Sequence, residues 1–346
     1  MPRVTLKTVA AAVGVSPATV SNAYNRPDQL SSELRGRILA VAAELGFTGP
    51  AAAGRALRTG RSGAVGVLLT GYLSYAFSDP YAVSLLAGLA SAVERTTSIV
   101  LLPLQHDADG VPDLSVVRQA NIDALALLSL PATHPVAELA RARGISLVTT
   151  DPLDDPDASW VAIDDRRTGT LVGEHLAGLG HTDVVVVAPV DDAPEGAGVR
   201  VVEPPRLDHV DYASRLSGLS DALGGRITLV TAGQNDFASG QRVADWLLRR
   251  DTLPTAVVGL SDVLALGVLE GLVAADVGVP ATVSVCGFDD IPAAAPRGLT
   301  TVRQSIVERG REIGRMLLDP DEAPRQVLMP VELVARRSSG PARPSA

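Results

Sequence analysis

From Leu6 onward apolar residues recur at Leu6, Val9, Ala10 and Val13, the spacing of one face of a helix. Thr5 stands where an N-cap belongs, and Gly14 stops the segment where a positive φ is useful. Ser16 and Pro17 restart a helix, serine as N-cap and proline at the first helical position, where a missing N–H is harmless. Val20 and Tyr24 carry its apolar side, and Asn25-Arg26-Pro27-Asp28 turns the chain. Ser31 or Ser32 caps a third helix, whose stripe is Leu34, Ile38, Val41 and Leu45 and whose end is Gly46. Two short helices on a glycine turn, with a third behind them, form a helix-turn-helix pattern, although a plain three-helix bundle reads the same way. The second helix is expected to expose Pro17, Ala18, Thr19, Ser21, Asn22 and Asn25, short residues able to approach phosphates and base edges.

Beyond Gly63 the pattern changes. Apolar runs at Ala64–Leu69, Ile99–Leu104, Ala124–Leu128, Ser146–Thr149, Val184–Val187, Ile227–Val230, Ala256–Gly259 and Val283–Phe288 predict buried parallel strands. Helical segments alternate with them, at Tyr81–Glu94, Asp113–Gln119, His134–Arg143, Arg167–Leu179, Asp211–Leu223, Phe237–Arg249 and Asp262–Ala275. This βαβ alternation in two halves predicts an α/β fold that binds ligands at strand carboxyl ends and between its halves. The polar candidates at such ends are Asp79 and Tyr81, Asp151, Asp164, Ser261 and Asp262, and Asp289. Arg215 joins them from the helix after a Pro/Gly-rich loop. A carboxylate and a guanidinium facing across a cleft can fork two vicinal hydroxyls.

Composition narrows the classes. With 346 residues, 46% hydrophobic and 20% charged, the chain is an ordinary globular protein of two or three domains. The net charge of −9 hides an asymmetry: residues 1–62 carry eight basic and three acidic side chains, the remainder 22 and 36. A basic head on an acidic body predicts a polyanion partner for the head. No apolar run reaches the ~18 residues of a membrane span, and the N-terminus lacks the apolar stretch of a signal peptide, so a cytoplasmic protein is expected. Cys286, the only cysteine, sits in an apolar strand as an inert thiol. The five histidines lack metal-ligand spacing, and neither a P-loop nor a Gly-x-Gly-x-x-Gly helix start occurs. The reading is therefore a non-enzyme without cofactor or metal.

Between head and body, Gly49–Gly60 is too polar and short for its own core and reads as a linker that turns helical when docked. Leu57, flanked by Arg55 and Arg58, suits minor-groove insertion. The strings Thr5-Leu6-Lys7-Thr8-Val9-Ala10, Gly14-Val15-Ser16-Pro17-Ala18-Thr19-Val20-Ser21 and Leu45-Gly46-Phe47, with the stretch ending Arg55-Ala56-Leu57-Arg58-Thr59-Gly60, resemble the N-terminus of the lactose-repressor (LacI) family of bacterial transcription regulators. The resemblance implies base reading by Pro17, Ala18 and Asn22. It implies backbone contacts by Thr5, Ser16, Thr19, Ser21, Asn25 and Ser31, and a minor-groove wedge at Leu57. The family usually carries arginine where Asn22 stands, and asparagine pairs with adenine rather than guanine.

The body is similar to the same family's effector domain through Asp262–Gly267, Cys286–Pro292, Leu299–Gln304, His175-Leu176 and Leu179-Gly180-His181. The implied fold is an all-α helix-turn-helix head plus a periplasmic-binding-protein-like α/β effector domain of two Rossmann-like subdomains. The expected limits are 1–48 for the head, 49–62 for the hinge and 63–337 for the effector and dimerisation domain. Within it the N-subdomain takes about 63–180 and 305–325, and the C-subdomain about 181–304 and 326–337. Residues 338–346, proline-containing and without a heptad, read as a disordered tail. The implied function is a repressor, a homodimer on pseudo-palindromic double-stranded DNA, controlled by a small-molecule effector of sugar type. Gly71–Ser78 and Asp191–Asp208 depart from the family pattern.

Overall fold

The computed structural model describes residues 4–49, 60–70, 73–93, 97–107, 111–130, 133–190, 196–203, 205, 207, 209–319 and 324–343. The chain forms two units, Met1–Gly63 and Ala64–Ala346. Arg55, Leu57 and Arg58 of the expected hinge lie outside the described residues.

In the first unit α1 (Leu6–Val13), α2 (Pro17–Asn25) and α3 (Ser32–Glu44) pack around Val9, Ala10, Val13, Val20, Ala23, Ile38 and Ala42. Each helix starts on a hydroxyl that satisfies an orphan amide. Thr5 and Thr8 form a reciprocal capping box, Ser16 accepts from the Thr19 amide at 3.0 Å, and Ser31 accepts from the Leu34 amide at 3.2 Å. Gly14 has φ 78°, and that left-handed turn swings α2 across α1. Arg37 ties α3 to the carbonyl of Val13 at 2.9 Å, and Tyr24 meets Phe47 edge to face at 5.9 Å.

The second unit holds two sheets. The first subdomain contains β1 (Ala64–Thr70), α4 (Pro80–Val93), β2 (Ser98–Leu104), β3 (Ala124–Leu127), α5 (Pro135–Ala142), β4 (Ser146–Thr149) and β5 (Ser159–Ile163). The second contains α6 (Asp165–Gly178), β6 (Asp183–Ala188), β7 (Arg200–Val201), α7 (Val210–Leu223), β8 (Arg226–Thr231), α8 (Phe237–Leu248), β9 (Ala256–Gly259), α9 (Asp262–Ala274), β10 (Ser284–Asp289) and β11 (Thr300–Gln304). The chain returns to the first through α10 (Ile306–Leu318) and β12 (Gln326–Met329), and ends in the second with β13 (Val331–Val334). The sheet orders are β12-β5-β4-β3-β1-β2 and β13-β11-β10-β9-β6-β8-β7. The interior β1, β3, β6, β9 and β10 are buried almost throughout, as parallel strands covered on both faces must be.

Three expectations need correction. The first crossing falls near residue 164, not 180, because α6 packs on α7 of the second subdomain. Glycines fix that contact: a Cβ on Gly169 would lie 1.9 Å from the carbonyl oxygen of Arg215, and one on Gly218 2.0 Å from that of Arg166. The last crossing falls at Pro330, not 325, since β12 still pairs with β5 in parallel. The tail is not disordered through 343. Ser338 is buried, its amide donates to Gly298 O at 3.0 Å, and its carbonyl accepts from Val285 N at 2.7 Å. Gly340 O accepts from Ser284 Oγ at 3.2 Å and lies 3.0 Å from His181 Nε2, and Ala342 N donates to Leu179 O. Proline forbids a helix here but not this seat against the amino ends of β10 and β11.

Candidate functional site

On the head, Pro17 and Ala18 open α2 exposed, Asn25 closes it exposed, and Thr19 and Asn22 are half-buried. Asn22 Nδ2 lies 3.4 Å from Gln29 Oε1, a contact weak enough to leave the amide available to a base edge. Thr5, Ser16 and Ser31 are exposed at helix N-termini, where amides and dipole favour phosphate. Ser21 corrects the expected outer face: it is buried, 2% exposed, and takes a hydrogen bond from Asn25 Nδ2 at 3.2 Å. One residue from the exposed α2 face, it points into the head.

In the second unit the strand carboxyl ends of both sheets converge on a cleft. Arg215 lies deep in it, on the buried side of α7. It donates to Asp165 Oδ1 at 2.8 Å and to Leu260 O at 2.9 Å, and sits 3.7 Å from Asp289 Oδ1. Burial opposes its charge, but Asp165, Asp289 and Asp211 outweigh burial and raise its pKa. Burial lifts the Asp289 carboxyl to about 7 despite Arg215. Asp289 has φ 114° and Asp290 φ 54°, left-handed conformations that cost a non-glycine residue of order 1–3 kcal/mol. Neighbours hold that turn: Asp262 accepts from Ile291 N at 2.9 Å and Thr301 Oγ1 at 2.6 Å, and Gln304 Nε2 donates to Asp289 Oδ1 at 2.7 Å.

Two chains of hydrogen bonds join the subdomains. Asn235, after β8, donates to Asp79 Oδ2 at 3.0 Å and accepts from Ser261 Oγ at 2.6 Å. Asp79 also caps α4 through Ala82 N at 2.8 Å, and burial raises its pKa. Just after the β11-to-α10 crossing, buried Arg309 of α10 donates to Tyr81 Oη at 2.9 Å, Thr150 O at 2.6 Å and Val161 O at 3.1 Å, and lies 3.4 Å from Gln304 Oε1. Ser129 Oγ donates to Asp211 Oδ2 at 2.7 Å. Asp151 Oδ2 and Asp211 Oδ1 are both buried and take no hydrogen bond from the other described residues, and the two carboxyls act on each other. Burial, then the Asp211 charge, pushes Asp151 up to about 9, while bonds from Asp151 and Ser129 hold Asp211 below its ordinary value. Between the subdomains a cavity of about 190 Å³ remains, lined among others by Thr70, Tyr75, Tyr81, Ser129, Tyr212 and Asn235.

Of the expected residues Tyr81 lines this cavity, while Asp79, Asp151, Arg215, Ser261 and Asp289 are buried in the polar network behind it. Asp262 is fully buried with both oxygens bonded inside the protein, so it supports the Asp289 turn. Asp164 is exposed and caps α6 through Arg167 N at 2.8 Å; its neighbour Asp165 is the one that meets Arg215. Sequence reasoning missed Asp165, Asp211, Asn235, Gln304, Arg309 and Tyr75. The signal for Asp165 was present as the second half of an Asp-Asp pair, which reads by default as a solvated turn. Cys286 is fully buried in β10, its pKa raised by burial to about 12. No helix among the described residues is long and apolar enough to cross a membrane.

Residues 5–49 match the family model for bacterial regulatory proteins of the lacI family, and residues 173–339 that for a periplasmic binding protein-like domain. An HTH-type transcriptional regulator of Mycolicibacterium smegmatis is 35% identical, covering 98% of this chain and 97% of that protein. The ribose operon repressor of Escherichia coli K12 is 29% identical, covering 88% of this chain and 89% of the repressor. The solved complex of the transcriptional regulator CelR with cellobiose matches at TM-score 0.62 and 25% identity, covering 97% of this chain and 100% of the other.

Proposed function

The chain belongs to the lacI family of bacterial regulatory proteins, and from that premise we propose that this DNA-binding regulator is a repressor whose operator affinity is set by a small-molecule effector of sugar type. The observation that carries the reading is the cleft: a hydroxyl-, phenol- and carboxylate-lined cavity of about 190 Å³ between two α/β subdomains, bridged by Asn235 and the Asp151–Asp211 pair. The cellobiose complex of CelR supports a sugar, and the ribose operon repressor supports repression. The effector works by population shift: it binds one degree of cleft closure more tightly than another, and the difference becomes a coupling free energy to the head.

The protein acts in the cytoplasm as a homodimer on a pseudo-palindromic operator. Pro17, Ala18 and Asn22 read major-groove bases, and Thr5, Ser16, Thr19, Asn25 and Ser31 contact the backbone. Ser21 joins those contacts only through its buried support of Asn25. Arg55, Leu57 and Arg58 supply the hinge contacts. The test is binding of the full chain to operators selected from a random pool, as a function of salt. A steep fall of log affinity with log salt, with one preferred palindrome, is expected. Weak binding without sequence preference at low salt would contradict it.

A further inference from the structure

We propose that Asp151 and Asp211 form a proton-operated latch between the two subdomains, which holds the cleft closed while one proton lies between the carboxyls and lets it open when that proton is lost. Asp151 follows β4 of the first subdomain, and Asp211 stands in the first turn of α7 of the second. Ser129, after β3, reaches the same carboxyl from the first subdomain, its Oγ donating to Asp211 Oδ2 at 2.7 Å. Both arms on that side are set in place. Ser129 has φ 54°, a left-handed conformation secured at its amide, which donates to Thr150 Oγ1 at 2.7 Å. The Asp151 carbonyl accepts from Thr149 Oγ1 at 2.9 Å. Two oxygens are left over: Asp151 Oδ2 and Asp211 Oδ1 are buried and take no hydrogen bond from the other described residues.

Two ionised carboxyls that act on each other repel, and each buried oxygen without a donor destabilises the closed form. One proton removes both penalties, because an O–H on one carboxyl donating to the O⁻ of the other is among the strong hydrogen bonds. The surrounding charges supply no substitute. Asp151 also faces Arg309 of α10, Asp211 faces His209, Arg215 and the Tyr81 phenol, and Asp165 of α6 acts on both carboxyls. Both guanidiniums are engaged: Arg309 donates to Tyr81, Thr150 O and Val161 O, and Arg215 to Asp165 and Leu260 O. Burial and the Asp211 charge keep Asp151 protonated up to about 9. Opening returns both carboxyls to water, where Asp151 takes its ordinary value. The closed form therefore binds one proton more than the open form between that value and about 9, and each pH unit above favours opening about tenfold. The latch borders the cavity, whose lining includes Ser129, His209 and Tyr212. On the effector reading above, operator affinity follows the same opening.

The experiment reads cleft opening on the full chain with spin labels at Phe77→Cys and Val190→Cys, exposed positions past the carboxyl ends of β1 and β6; Cys286 is buried and stays unlabelled. Labelled chain is diluted into unlabelled chain, so that only distances within one chain are read, from about pH 7 to about pH 10.5, with far-UV circular dichroism beside it. A single short distance is expected near neutral pH, and a longer one should grow in as pH rises through about 9 while the helical signal holds. Asp151→Asn, whose amide donates to Asp211 at any pH, should keep the short distance throughout. So should Asp211→Asn, which donates to Asp151 from the other side, and either variant suffices if the other does not fold. A parent distance that never changes, an opening shared by whichever variant folds, or a lengthening that tracks loss of helix would overturn the latch. Neither effector nor DNA enters this measurement, so its failure leaves the effector reading standing. An operator affinity that ignores a measured opening would count against that reading and not against the latch.

Discussion

Asp211 of α7 and Asp151 beyond β4 are two buried carboxyls that act on each other across the subdomain boundary, so burial and mutual repulsion favour one proton between them. The proton sits on Asp151, pushed up to about 9 by burial and by the Asp211 charge. An unfolded Asp151 titrates at its ordinary value, so the folded body binds the extra proton between that value and about 9. The stability this confers is complete below the lower limit and is lost as pH rises through the upper one. Asp211, shifted the other way, contributes stability that is present above its ordinary value and is lost only as pH falls through its lowered one. Asp151→Asn replaces the proton with an amide N–H that donates to Asp211. Melting temperature should then fall less between about pH 6 and 9 than in the parent, and the variant should be the more stable at about pH 8.5. Equal pH slopes in the two proteins would remove the shared proton from the account.

Arg215 is the charge around which the second subdomain's side of the cleft is built. Arg215→Met leaves Asp165 and Asp289 buried without their cation and should cost about 3–5 kcal/mol in urea unfolding. Adding Asp165→Asn should recover part of the loss, since one uncompensated carboxyl is then gone. Additive losses in the double variant would mean that the pair does not interact.

The α6–α7 contact rests on backbone approach. A methyl group on Gly169 would lie 1.9 Å from Arg215 O, and the carbonyl cannot yield as a flexible side chain can. Gly169→Ala should therefore destabilise by about 1–3 kcal/mol although alanine favours helix. Gly178→Ala, with open space beside it, should be neutral or stabilising in the same helix. Equal melting temperatures for the two variants would contradict this.

Much of this was legible in the sequence, and what was not had a common cause. Thr5, Ser16 and Ser31 announce their helices because capping is local. The strands at 64–70 and 284–289 announce themselves because a buried parallel strand must be apolar throughout. Asp164 was mistaken for Asp165 because adjacent helix positions differ by about 100° in facing, and the partner that decides between them is Arg215, fifty positions away. Asn235, Gln304 and Arg309 were silent for the same reason: their partners Asp79, Asp289 and Tyr81 lie on distant elements. The order of Ser338–Arg343 was hidden because it rests on bonds to Ser284, Val285 and Gly298 rather than on any helix or heptad of its own.

On the DNA side, Asn22→Ala should lower operator affinity and relax preference at one symmetric base pair, by about 1–3 kcal/mol per half-site. Ser21→Ala, which removes a buried hydroxyl behind Asn25, should weaken all sequences alike and lower the melting temperature of the head. A randomised-site selection reads the first effect and calorimetry the second. An unchanged base preference for Asn22→Ala would take that residue off the reading face.

The central claim is that occupancy of the cleft changes the affinity of the head for DNA. The direct measurement is operator affinity of the full chain, at fixed salt, across a titration of whichever sugar raises its melting temperature, with Asn235→Ala beside it. Asn235 bridges Asp79 and Ser261, so its loss should weaken ligand binding while the resting operator affinity stays within about threefold. In the parent the ligand should shift operator affinity at least about tenfold, a coupling of about 1.4 kcal/mol, and in the variant the shift should appear only at correspondingly higher ligand concentration. A ligand that binds the cleft and leaves operator affinity unchanged at saturation would contradict the claim.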